Sequence, residues 1–338
     1  MKRNFLILAL CSLSLHLVAQ QLPMRLWYDR PANLFEESLP IGNGRLGALV
    51  YGGADTNIIH LNDITFWSGK PVDLNVDADA NRWIPVIRKA LFQENYRLAD
   101  SLQHYVQGVN SQYYQPLGTI IINDLNIGEV SDYRRELNLD SAVCRDRYTR
   151  GAVTISRTYF ASHPDNVIAI TLKASKPGQL HCSVALTSLV DHYVKASDRQ
   201  LTMTGNAAGD PRETIHFCSV LRVKNAGGRV IKSDSTLVID GATSATLYFV
   251  NETSFNGFDK HPVKEGAPYI DNAMNAAWHL ANYNYDNLLK RHVKDYQSIF
   301  SRLKLNLDGA QPNVDVTTDD MLRNYRNNAS VVMWSIGN

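Results

Sequence analysis

Residues 39–53 read LPIGNGRLGALVYGG. Gly42-x-Gly44-x-x-Gly47 has the spacing of a loop that cradles a dinucleotide pyrophosphate, and Asp63 follows about 20 residues on, where such a fold places an acid on the ribose. That chemistry needs a strand feeding the glycines and a helix opening in them, so that the first helical N–H groups face the anion. Neither flank qualifies. The stretch 30–38 contains Pro31 and no β-branched run, and three more glycines follow Gly44 by residue 53. Each glycine inside a helix costs about 1 kcal/mol relative to alanine. The segment Ala48-Leu49-Val50-Tyr51 therefore reads as a short buried strand, and the glycines as a tight loop that lets strands approach closely.

Other reactive side chains give equally little. Glu36–Glu37 and Asp319–Asp320 are adjacent pairs, expected to be solvated, and no two carboxylates can be argued into acid and base roles. His60, His104, His163, His192 and His261 are scattered without ligand spacing. Cys144, Cys182 and Cys218 sit in apolar or alternating stretches, as buried inert thiols do, and none has the spacing of a metal site. No cofactor and no metal are expected. One segment is more promising: Asn62-Asp63-Ile64-Thr65-Phe66-Trp67-Ser68-Gly69. An indole face suits the C–H face of a sugar, and Asn62 and Asp63 could bind hydroxyls. The competing reading is that Phe66 and Trp67 pack a core while Asn62 and Asp63 shape a turn. Tyr113, Tyr114 and Gln115, ahead of Pro116, read as a structured loop.

The elements that must position these residues are mainly strands. The chain opens Met1-Lys2-Arg3, runs apolar through Phe5–Leu10 and turns polar after Ala19, which predicts a secretory leader over 1–19 and an exported protein, periplasmic or extracellular. Its apolar part is too short to span a bilayer, and no membrane span is expected elsewhere. Without Lys2 and Arg3, 32 of the 34 basic side chains remain against 33 acidic ones, so no nucleic-acid partner is expected. Runs at Asn57–Leu61, Thr119–Ile122, Val153–Phe160, Val167–Leu172, His181–Leu186, Thr214–Val223 and Thr246–Val250, separated by glycine and proline turns, predict antiparallel sheets. Residues 80–106 interrupt them with Ile84, Ile87, Leu91, Leu98 and Leu102 at helical spacing. From Ile270 to Leu280 and Tyr285 to Leu303 the period becomes helical, with a third helix expected to begin over Asp319–Asn327. These helices are expected to lack a packing partner, leaving an apolar face that favours self-association.

Several ordered segments together resemble glycoside hydrolase family 95, the family of α-L-fucosidases. They are Leu26–Ala32 (LWYDRPA), Glu37–Ala48 (ESLPIGNGRLGA), Leu61–Pro71 (LNDITFWSGKP), Tyr114–Gly118 (YQPLG), Tyr133–Asp140 (YRRELNLD), Phe160–Asp165 (FASHPD) and His292-x-x-Asp295-Tyr296. The resemblance implies a mainly β fold with C-terminal α: an antiparallel β-supersandwich over 20–265 with its helical insertion at 80–106, then a helical pre-barrel segment over 266–328. It also implies an (α/α)6 barrel that carries the chemistry, with Trp67, Asn62 and Asp63 at its mouth. The substrate implied is a glycan bearing terminal α-L-fucose, α-1,2-linked, or the related L-galactose. Cleavage in the family inverts the anomeric centre, an acid protonating the leaving oxygen while an activated water attacks. Residues 329–338 match nothing in the family, and the catalytic residues are expected beyond residue 338. The alternative is a non-catalytic fragment or carbohydrate-contacting β module.

Overall fold

The computed structural model describes residues 24–73, 78–108, 112–280, 282–303 and 317–318. The expected leader, the helix over 319–327, Asp319–Asp320 and the 329–338 tail lie outside them. In chain order the strands are β1 (Arg25–Tyr28), β2 (Leu39–Gly42), β3 (Leu46–Val50), β4 (Thr56–Asp63), β5 (Gly118–Asp124), β6 (Val130–Asn138), β7 (Val143–Arg150) and β8 (Val153–Ser162). After them come β9 (Val167–Ala174), β10 (Leu180–Thr187), β11 (His192–Ser197), β12 (Gln200–Asn206), β13 (His216–Ala226), β14 (Arg229–Lys232), β15 (Thr236–Ala242) and β16 (Ser244–Thr253). They form a nine-stranded sheet, β1-β6-β7-β8-β9-β16-β13-β12-β11, and a seven-stranded sheet, β14-β15-β10-β5-β4-β3-β2. Every strand pair is antiparallel, as the mainly β reading requires.

Alternation explains the sandwich. In β4, Asn57, Ile59, Leu61 and Asp63 point inward, and Ile120, Ile122, Val184 and Leu186 meet them from β5 and β10. Strand β9 is different: Val167-Ile168-Ala169-Ile170 is buried on both faces, so its apolar residues run without alternation. Ile168 and Ile170 face the sandwich, whereas Val167 and Ala169 belong to a second core.

That second core corrects the expectation of helices without a partner. Helices α3 (Tyr269–Leu280) and α4 (Tyr285–Phe300) lie on the outer face of the nine-stranded sheet. Ala273, Ala277, Leu280 and Leu288 pack there on Phe160, Val220, Tyr248 and Val250. Small alanines let α3 approach the strands closely, while Ile270, Met274 and Trp278 of the same helix stay exposed. Polar clips fix α4. Arg291 grips Asp165 through two nitrogens (2.6 and 3.1 Å), Tyr296 OH donates to Leu139 O (2.8 Å) and Gln297 donates to Asp140 O (3.0 Å). The His292 ring nitrogen Nε2 lies 3.0 Å from Ser141 O and 3.2 Å from Ala142 O. The His-x-x-Asp-Tyr signature is thus a clamp between helix and strand turns, with Asp295 against His163 at 3.2 Å.

Burial depresses the His292 pKa, although the surrounding carbonyls pull it up. A depressed folded-state pKa means that the neutral ring contributes stability above its unfolded value of about 6.5, and that this contribution is lost as pH falls below it. Thermal melts from pH 7.5 to 5 should show a larger acid-side loss for the wild-type chain than for His292→Gln, which keeps a donor but does not titrate. Parallel losses would rule out the assignment.

The insertion is helical over most of the 80–106 stretch where the helical spacing occurs. It is a pair of helices, α1 (Trp83–Phe92) and α2 (Tyr96–Gln103), the second capped by the Asn95 side chain accepting from Leu98 N. The pair buries Ala90 and Ala99, and Ile84, Leu91 and Leu98 remain exposed.

Between the sheets lies a charged interior. Arg157 Nε donates to Asp146 at 2.6 Å, Tyr159 OH donates to its other oxygen at 2.6 Å, and Asn57 donates to Tyr159 OH. Arg157 also donates to the Gly52 and Gly53 carbonyls. Burial works against the Asp146 charge and lifts its pKa, yet both oxygens accept hydrogen bonds, as an ionised carboxylate does. Gly53 is required here, because a Cβ would run into the Thr56 carbonyl. The three described cysteines are free and buried: Cys144 and Cys182 in the sandwich core, Cys218 in the second core under α3. Burial pushes the Cys182 thiol up to about 12 and Cys218 up to about 11.

Candidate functional site

The glycine motif is a hairpin. Gly42 pairs with Gly47 across the β2–β3 turn, and Gly44 takes the left-handed φ of 89° that favours glycine. Asn43 closes the turn: its Oδ1 accepts from Arg45 N and Leu46 N, and its Nδ2 donates to Ser162 O in the other sheet. No helix follows, so no phosphate cradle exists at this turn.

The hairpin instead aims Arg45 at the end of β4. Its guanidinium holds Glu252 of β16 through two bonds (2.7 and 3.0 Å), with Asp63 at 3.7 Å. Burial opposes the Arg45 charge, but the two carboxylates outweigh it and raise its pKa. Asp63 is fully buried. Its Oδ1 accepts from Thr65 N (2.9 Å) and Thr65 Oγ1 (2.7 Å), and its Oδ2 accepts from Asn251 Nδ2 (2.8 Å). Both oxygens are spent on the protein, and the carboxylate sets the turn that leads to Trp67. Asn62, one residue earlier, points to the opposite face of β4 beside Gly47, and its Oδ1 has no hydrogen-bond partner among the described residues.

The two aromatic residues of the segment part company. Phe66 is wholly buried and meets Phe217 edge-on at 5.1 Å. Trp67 is 41% exposed and is therefore not a core residue. Its Nε1 donates to Ile64 O at 2.8 Å, which fixes the indole, and Tyr114 stands edge-on to it at 5.9 Å. A bridge between Trp67 and Tyr114, with Ser68 N donating to Tyr113 O and Gln115 N to Phe66 O, ties the two segments together. Gln115 is buried and braces Ala208 N, whereas Tyr113 and Tyr114 face solvent. Partial burial of Tyr114, helped by the Asp63 charge, pushes its pKa up to about 12.

The arrangement is an aromatic rim of Trp67 and Tyr114 on a hydrogen-bonded turn. It can stack on an apolar ring face and donate one hydroxyl. The described acids around it are engaged: Asp63 and Glu252 are held by Arg45, and Glu213 by Lys70 at 2.6 Å. Glu37, expected to be solvated, is bound by Arg30 through both oxygens and by Asn33 N, which hold its pKa down at about 2. Sequence reasoning missed Arg45, Asn251 and Glu252 as the supports of this rim. Arg45 lay in plain view within the glycine motif. Among the described residues no group of three or more His, Cys, Asp or Glu side chains could hold a metal.

Known proteins are similar to this chain in sequence. The chain is 30% identical to alpha-L-fucosidase 2 of Arabidopsis thaliana over 90% of its own length and 39% of that protein's. It is 28% identical to a probable alpha-fucosidase A of Aspergillus niger, over 94% of this chain and 42% of the relative. A probable alpha-fucosidase A of Aspergillus oryzae is 22% identical over 90% of the chain. The chain thus spans about two-fifths of the length of its curated relatives. The family described as "Glycosyl hydrolase family 65, N-terminal domain" matches residues 26–257, well over half of the sequence, and the chain belongs to that family.

Proposed function

We propose that this chain supplies the β-domain portion of an exported α-L-fucosidase of the family 95 type, which removes terminal α-1,2-linked fucosyl groups with inversion. The observation that carries the reading is the alignment of α-fucosidases along 90–94% of the chain. The domain's part is to hold Trp67 and Tyr114 as a rim for the glycan. The acid and the activated water that cleavage needs are assigned to residues outside these 338, because the described acidic side chains around the rim are engaged by cations.

The test uses two proteins: the 338-residue chain, and a version extended along its gene to the length of the relatives. Each is assayed with an aryl α-L-fucoside and a fucosylated oligosaccharide. The extended protein should release fucose with inverted configuration, and the short chain none. In the extended protein, Trp67→Ala should raise KM for the oligosaccharide several-fold and leave the aryl fucoside nearly unaffected. Fucose released by the short chain would overturn the division of labour, and an inactive extended protein would sink the fucosidase reading.

A further inference from the structure

The outer face of the nine-stranded sheet is only partly covered by α3 and α4. Beside the helices two rows of side chains cross the strands in register. The first runs Arg145, Thr158, Thr171, Thr246, Lys224 from β7 to β13. The second runs Arg147, Ser156, Lys173, Ser244. Arg145, Arg147, Ser156, Lys173 and Lys224 are exposed. The first row borders the helical layer, where the Tyr285 hydroxyl rests on Thr171 and Thr158. At its β13 end the band opens into a cleft of ≈ 190 Å³ lined by Arg199, Arg222, Val223, Lys224 and the ring of Tyr248.

Six cations therefore share one face of a chain whose formal charge is only +1. None of the six makes an ion pair with a described residue. The acidic groups at the band's margins include Glu136, taken up by Arg25 and Arg134, Asp286 beside Tyr285 at the start of α4, and Asp198 in the β11–β12 turn. Cations left unpaired on one face of a sheet repel one another, and an anionic ligand relieves that repulsion. Their spacing is set by the fold: Arg147, Lys173 and Lys224 stand on every second strand, about 10 Å apart at the usual strand separation. Hydroxyl side chains fill the intervals, and the only ring in the cleft, Tyr248, is buried. Single-stranded nucleic acid would want exposed aromatic rings for its bases.

We infer that this band is a binding surface for an extended polysaccharide carrying carboxylate or sulfate groups, separate from the Trp67 rim. The cations meet the charged groups and the Ser and Thr hydroxyls meet the sugar hydroxyls. The choice of a glycan among polyanions rests on the fucosidase reading above; the band itself does not. Binding here would hold the protein on an acidic polymer while its rim engages a neutral branch.

The test is affinity electrophoresis of the 338-residue chain in native gels containing polygalacturonate, chondroitin sulfate or neutral dextran, with a duplex DNA fragment as a further arm. Retardation is expected in one or both anionic glycans and not in dextran, weakening on the order of tenfold for a fourfold rise in salt. The triple variant R147E/K173E/K224E should lose at least tenfold in affinity with an unchanged melting temperature. The charge-matched variant K264E/K290E/K294E, away from both rows, should lose little. Wild-type and band variant migrating alike, or equal losses in the two triple variants, would overturn the proposal. Duplex DNA bound as tightly as either glycan would overturn the glycan assignment. Failure here leaves fucoside hydrolysis by the extended protein untouched, so the two readings fail separately.

Discussion

Replacing Asp146 with alanine is expected to destabilise the chain by roughly 3–5 kcal/mol, because it leaves the Arg157 guanidinium buried without its counter-charge. Arg157 is 2% exposed, and its remaining partners are the Gly52 and Gly53 carbonyls and the Tyr148 ring at 5.1 Å. Those neutral groups cannot repay the desolvation of a full positive charge. The change also strips Tyr159 of its acceptor and so disturbs Asn57, which ties β4 to the opposite sheet. Removing both charges together, as in Asp146→Leu with Arg157→Met, should recover much of the loss, since an apolar pair of similar volume needs no compensation. Urea unfolding followed by far-UV circular dichroism measures each variant. A single-variant loss below about 1 kcal/mol, or a double variant worse than either single one, would show that the pair does not constrain the interior in this way.

Phe66→Ala should cost roughly 3–5 kcal/mol as a large-to-small change in a packed core. It should also loosen the rim. Phe66 is fully buried against Phe217, and its carbonyl receives Gln115 N, so the ring under the turn and the backbone that pins Tyr114 are one unit. Phe66→Leu, which keeps most of the volume, should lose much less. In the extended protein the alanine variant should raise KM for oligosaccharide together with Trp67→Ala and not additively, because both act on the same turn. Full additivity, or a stability loss under about 1 kcal/mol, would separate Phe66 from the rim.

The strands that could be read from the sequence are those whose apolar residues alternate or run unbroken. Val167–Leu172 and Thr246–Val250 are of this kind, and both fall in the middle of the nine-stranded sheet. Strands β6 and β7 escaped notice because Val130–Arg150 is thick with Arg, Asp and Glu. In β7 an inward Asp146 satisfied by Arg157 looks, in one dimension, like a solvated residue. The same limit applies at the rim. The identity of Asp63 suggested a hydroxyl-binding carboxylate, but its partners Asn251 and Arg45 lie 188 and 18 residues away. Only the folded chain shows that its oxygens are taken. Trp67 could be placed in neither reading from sequence, because exposure depends on the side of the turn on which the indole emerges. The second core was hidden for a related reason: Ala273 and Ala277 have too little apolar bulk to announce a buried face, yet their smallness is what admits α3 to the sheet.

The three buried thiols make the protein its own set of opening gauges. With burial raising each thiol pKa, almost none is thiolate near neutrality, and a thiol-specific reagent must wait for the structure to open. Cys218 sits beneath α3, whereas Cys182 lies between the two sheets. Labelling rates at these two positions therefore time different events, the lifting of the helical layer and the parting of the sandwich. A faster rate at Cys218 would mark the helices as a separately opening unit, and equal rates would mean that layer and sandwich come apart together.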